Sequence, residues 1–200
     1  MPHKKRENIQ QERQAQILEA ASRIFAEKGL SDARMEDIAS ACGLSKGTVY
    51  LYYKNKDDLI EGLLHALFSQ LLTHLQTLLT QNTLSVTERL MSYVEGTITL
   101  MEADGSMMNI AYEFYAIASR RSTIRDYLAG YFAEYRRVLQ DLFAQGVASG
   151  EYAQIDISQT AITLIALLEG FTLLWFTDAK TISPKHLLPP VINQFLTNLK

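Results

Sequence analysis

The chain has 200 residues, 48% of them hydrophobic, which suffices for one ordinary domain or for a small head and a larger body. Its net charge of -3 speaks against a general nucleic-acid binder, and a single cysteine excludes an internal disulfide and a cysteine-rich metal site. The charged N-terminus lacks the apolar core of a secretory signal.

Charge is unevenly spread, however. Residues 1–56 hold ten Lys and Arg against seven Asp and Glu, leaving nine against fifteen for the remainder. Any contact with a polyanion is therefore expected in the N-terminal part, and the acidic remainder should be repelled from DNA. Four prolines, ten glycines and no sustained β-branched alternation predict an all-α chain.

His3 to Arg6, HKKR, forms a short basic arm within residues 1–10, free to lie along a phosphate backbone or to stay solvated. A first helix is predicted from Ile9 to Lys28, with Ile17, Leu18, Ala21, Ile24 and Phe25 on one face and Gly29 as C-cap. The stretch Arg34 to Tyr53 then reads as two short helices joined by a tight turn. Ala39 is small where two helices cross closely, and Gly43 supplies a backbone conformation that costs other residues on the order of 1 kcal/mol. Ile38, Cys42, Leu44 and Val49 provide apolar contacts, and the Ser45 hydroxyl stands where it caps a second helix starting at Lys46. That helix presents Lys46, Gly47, Thr48, Tyr50, Leu51 and Tyr52, a set suited to a DNA backbone beside a major groove.

From Ala39, the run AxxCGLSKGTVYLYYKNKDDL resembles the signature of TetR-type transcriptional regulators, with Ile38, Ala39, Gly43, Ser45, Gly47, Tyr50, Lys56 and Leu59 matching it. The resemblance implies a three-helix DNA-binding head with a helix-turn-helix, over residues 11–71 with the motif at 34–53. A ligand-binding and dimerisation body would follow over 72–200, about nine helices in all. Two positions depart from the pattern. Ala33 stands where a capping Thr is usual, so Ser31 or Asp32 is expected to cap, and Arg34 beside it is placed to reach a phosphate. Tyr53 replaces the usual Phe.

Further along, Asn55 and Asp58 are spaced to cap a fourth helix whose N-terminus carries Lys56, a candidate phosphate contact. A leucine stripe from Leu59 to Leu78 marks this helix as a candidate lever between head and body. Five more helices are predicted at 86–103, 106–119, 123–149, 158–177 and 184–199. Met101, Met108, Tyr112, Tyr115, Phe132 and Tyr135 belong to a concentration of thioethers and rings suited to an apolar or aromatic effector, and equally to plain core. The helix at 158–177 is apolar nearly all round, and Phe171, Leu174, Trp175, Val191 and Phe195 are expected to meet a second subunit. The run Ala161 to Phe176, interrupted by Glu169, should fall short of the roughly 20 residues of a membrane span.

A soluble, cytoplasmic homodimer follows, partnered by a double-stranded operator and a small-molecule effector rather than a membrane. No catalytic triad, phosphate loop or metal-ligand spacing appears, so no enzyme activity, cofactor or metal is expected. By resemblance the regulator is a repressor released by its effector. An activator and an effector-independent DNA binder of the same fold stay open.

Overall fold

The structure, a computed structural model, describes the backbone of residues 2–81, 83–103 and 105–200, and their side chains except at 2–8, 100, 101, 103 and 105–109. The described residues form nine α-helices and no strand: α1 (Pro2–Asp32), α2 (Met35–Ala41), α3 (Lys46–Tyr52), α4 (Lys56–Thr77), α5 (Val86–Ala103), α6 (Gly105–Ala118), α7 (Ser122–Ala148), α8 (Ile157–Thr177) and α9 (Pro184–Thr197). The all-α expectation holds, with predicted helix bounds met to within a few residues. One exception is α1, which begins at Pro2 and takes in the expected arm; the side chains of His3 to Arg6 lie outside the described residues. Proline is well suited to a first helical position, and nothing after it breaks the helix before Gly29, where φ turns to 77°.

The chain divides into two compact units, Met1–Phe68 with Gly105–Arg125, and Ser69–Asp104 with Asp126–Lys200. In the first unit the core is built from Ile17, Ala21 and Phe25 of α1, Ile38 of α2, Val49 of α3 and Leu59, Ile60 and Leu64 of α4. This unit also claims α6, which the sequence assigns to the body. The reason is a single apolar face: Ile110 and Phe114, four residues apart, are both buried, and Phe114 and Tyr115 lie 6.5 and 6.4 Å from the Phe68 ring. The compact unit thus ends its first segment at Phe68, near the expected boundary at 71, and includes α6 besides.

The second unit packs Leu90, Val94 and Ile98 of α5, Leu139, Leu142 and Phe143 of α7, Leu164 and Leu168 of α8, and Leu188, Ile192 and Leu196 of α9. Its α7–α8 turn reverses at Gly150 (φ 75°) and lays the Tyr152 ring on Gly146, where a Cβ would overlap it. Glu151 in this turn accepts the backbone N–H groups of Val86 and Thr87, each at 2.8 Å, and so caps α5 from 64 residues away. Buried Arg89 donates to the Leu78 carbonyl at 2.9 Å and to Gln145 Oε1 at 2.8 Å. Both polar anchors satisfy helix ends that burial would otherwise leave unpaired.

Burial alone would raise the Glu151 carboxyl, but the Thr87 and Val86 hydrogen bonds outweigh it and hold the group below its ordinary value. A carboxylate depressed in the folded state stabilises at pH values above its unfolded pKa, and that contribution is lost as pH falls through the folded one. Glu151→Gln should therefore lower stability by about 1 kcal/mol near neutral pH. Thermal melts should show the gap to wild type closing as pH drops below about 4; a gap independent of pH would refute this cap.

Candidate nucleic-acid interface

The turn between α2 and α3 is closed by two backbone bonds, Gly43 N–H to Ser40 O at 3.2 Å and Leu44 N–H to Ala39 O at 3.0 Å. Together they form a Schellman C-cap, and Gly43 adopts the φ of +66° that it requires. From α1, the Gln16 amide donates to the Cys42 carbonyl at 2.8 Å and satisfies another end of α2. Cys42 itself is buried, as a small apolar role predicts.

At the other end of α2 the capping expectation fails. Neither Ser31 nor Asp32 caps it; both remain in the last turn of α1, and Asp37 reaches back instead to accept the Arg34 N–H at 3.0 Å. Asp37 also pairs with Lys28 at 2.9 Å, and that hydrogen bond, ahead of the Arg34 N–H, holds its carboxyl below the ordinary value. The caps of the following helices match their sequence signals. Ser45 Oγ accepts the Thr48 N–H at 3.1 Å, Asn55 Oδ1 accepts that of Asp58 at 2.8 Å, and Asp58 accepts that of Lys54 at 2.9 Å.

These contacts fix one face of α3 inward and the other outward. Val49 is fully buried, and Tyr53 just beyond the helix packs its ring on Gly62, 2.6 Å from where a Cβ would sit. Burial raises the Tyr53 hydroxyl above its usual pKa. Outward stand Lys46, Gly47, Tyr50 and Leu51, with Ser45 and Arg34 exposed nearby and Thr48 and Tyr52 half-buried. Leu51 is 84% exposed, an apolar side chain left almost wholly to solvent. Eight of the nine predicted DNA-binding residues are thus held on or beside one short helix.

Lys56 differs. Its ammonium donates to the carbonyls of Ser31 at 2.6 Å and Ala33 at 3.1 Å, so it ties the start of α4 to the α1–α2 joint. A lysine at a helix N-terminus is disfavoured by the dipole, and the two carbonyls offset this where the sequence reading invoked a bound anion. The residue that sequence reasoning missed is Glu36. It pairs with Lys46, ten positions away across the turn, while the same ammonium lies 5.7 Å from the centre of the Tyr50 ring. Only an acid in the first turn of α2 hints at this, since spacing within one helix cannot reveal it.

The remaining predicted residues scatter more. Tyr112 and Tyr115 belong to the first unit and Phe132 and Tyr135 to the second, while the Met101 and Met108 side chains lie outside the described residues. Tyr135 is buried and accepts a hydrogen bond from Tyr93 at 3.1 Å; burial pushes the Tyr93 hydroxyl up to about 12 and raises that of Tyr135 too. A cavity of about 360 Å³ in the second unit is lined instead by Glu95, Ile98, Thr99, Glu102, Lys185 and Pro189. On α8 and α9, Leu174 is 51% exposed and Phe171, Trp175, Val191 and Phe195 are half-buried. Helix α8 spans 21 residues, with mean hydropathy 1.6 over an 18-residue stretch of it, so by length and composition it does reach the size of a membrane span, contrary to the expectation from its apolar run.

Residues 17–63 match the family described as bacterial regulatory proteins, tetR family, and residues 86–198 match the C-terminal part of BetI-type transcriptional repressors. A fatty acid metabolism regulator protein of Bacillus subtilis is 23% identical over 163 residues, 80% of this chain and 81% of the relative. An HTH-type transcriptional repressor of Mycolicibacterium smegmatis is 26% identical over 142 residues, 70% and 67% of the two. The crystal structure of the regulator FadR from Bacillus subtilis in complex with stearoyl-CoA superposes with a TM-score of 0.75 at 21% identity, covering 92% of this chain and 96% of that one.

Because Lys56 holds two carbonyls, its replacement by Met should loosen the joint between α1 and α2. Thermal denaturation is expected to register a loss of about 1 kcal/mol. An unchanged melting curve would mean that the clasp contributes nothing.

Proposed function

Since the chain belongs to the TetR family of bacterial transcriptional regulators, we propose that it is a homodimeric repressor that leaves a near-palindromic operator when a small apolar or aromatic molecule binds. The observation that carries this reading is the outward face of α3. A leucine four-fifths exposed, flanked by Lys46, Gly47 and Tyr50, has no use inside the chain and the right chemistry for a major groove. Lys46, Arg34, Ser45, Tyr50 and Tyr52 would then meet phosphates, and Leu51 and Thr48 a base edge or a thymine methyl.

Two copies of α3 need a dimer. Ile162, Leu173, Leu174 and Phe176 on α8 and Leu187 on α9 are between 39% and 51% exposed, an apolar face that favours self-association. Half-sites about one helical turn or more apart follow from the two-fold axis. Phe132 and Tyr135, with Tyr93 and Tyr131, form an aromatic cluster in the second unit that supports an apolar or aromatic effector. The stearoyl-CoA complex of the Bacillus subtilis regulator supports a ligand with an apolar portion, and the Mycolicibacterium relative supports repression over activation. A bacterial regulator that binds an operator works in the cytoplasm, where the DNA is. Effector binding acts through its differential affinity for the DNA-competent state.

Selection of binding sites from random duplexes, followed by titration with candidate effectors, tests the whole reading; a chain that selects no sequence overturns it. On the selected operator, Lys46→Ala should weaken binding and reduce the slope of log affinity against log salt by about one unit. Leu174→Glu should yield monomers in sedimentation and lose operator binding, because one α3 reads only one half-site.

A further inference from the structure

Two of the exposed cations beside the α3 face are not electrostatically free. The Glu36 carboxylate, in the first turn of α2, pairs with the Lys46 ammonium across the turn. Its carboxyl is held below its ordinary value, first by that hydrogen bond and further by the field of Arg34. Lys46 is in turn held protonated, first by Glu36. Both partners are 55% exposed, so the pair is reachable by a competing anion and by salt. The neighbouring acid Asp37 does not share this task, because Lys28 and the Arg34 N–H already occupy it. From α3 the Tyr50 ring faces the pair, under the same ammonium.

We propose that Glu36 is an internal stand-in for a DNA phosphate: it occupies Lys46 in the free protein, attenuates Arg34, and so sets how tightly the head binds any duplex. The inference rests on the DNA-binding reading above. A phosphate approaching α3 must take over the ammonium from a carboxylate of the same charge, which then stays close to the polyanion. The exchange opposes every duplex to the same degree, since phosphates carry no sequence. Base contacts by Leu51 and Thr48 are untouched by it. Glu36 thereby lowers occupancy of random DNA without altering what the protein reads.

The test uses the full chain, its selected operator, and a scrambled duplex of equal length, titrated by fluorescence anisotropy over a salt series. Glu36→Gln keeps the shape and removes the charge. It should bind both duplexes about two- to five-fold tighter at low salt, and its salt slope should steepen by about one unit. In a Lys46→Ala background the gain should shrink, because the displaced partner is gone. Equal melting temperatures would confirm that the fold is unchanged. Unaltered or weaker binding by Glu36→Gln, with wild type still binding its operator, would overturn the proposal and make Glu36 a support for Lys46. Failure of wild type to bind any duplex would remove the reading beneath it.

Discussion

The reversal at Gly43 is the constraint on which the N-terminal unit depends. A residue at φ +66° lets the chain leave α2 and enter α3 across only four residues, and any side chain with a Cβ would be strained there. Around that reversal the chain spends few polar contacts, each on a helix end: Gln16 on Cys42, Asp37 on Arg34, Ser45 on Thr48, Lys56 on Ser31 and Ala33. Seven-residue helices such as α2 and α3 are too short to persist by propensity. Their geometry is therefore a product of caps and of the apolar packing of Ile38 and Val49, both fully buried.

The same economy shapes the electrostatics. Three lysines at this end are engaged inside the chain: Lys28 with Asp37, Lys46 with Glu36, Lys56 with carbonyls. A head with a small positive excess thus presents less free charge than its composition suggests. That agrees with a protein of net charge -3 that finds sequence rather than polyanion as such. Arg121 bridging to Asp57 at 2.8 Å extends the pattern to the start of α7 within the same unit.

Much of this was legible in the sequence where the signal is local. Helix order follows from apolar spacing, and the roles of Gly43, Ser45 and Asn55 follow from conformational and capping preferences that act over three or four residues. What stayed hidden depends on partners far along the chain. Ala33 pointed to Ser31 or Asp32 as caps, yet Asp37 serves, because the last turn of α1 carries the other two past the joint. The allegiance of α6 turns on Phe114 meeting Phe68, 46 positions apart, which periodicity cannot see. Glu36 and Glu151 likewise act across a turn or from 64 residues away. The expected effector residues divide between the two units, and their chemistry leaves both roles open, since thioethers and rings read alike whether they line a pocket or fill a core.

The exposed side of α8 shows how burial sorts between occupants that composition cannot separate. A largely apolar helix of 21 residues passes for a membrane span by length and composition. A spanning helix, however, must be apolar on the sides that face lipid along its whole length, whereas α8 seats Ala161, Leu164 and Leu168 against its own chain and carries half-buried Glu169 near its middle. What remains uncovered is a stripe, Ile162, Leu173, Leu174 and Phe176, continued by Leu187 of α9. Gly170 within it has nothing inside the chain within 4 Å of a would-be Cβ, so a second helix can approach closely there. An apolar stripe shared by two helices suits an isologous contact in which each copy covers the other. That contact would bring two copies of α3 into one assembly, which is what reading a two-fold operator requires.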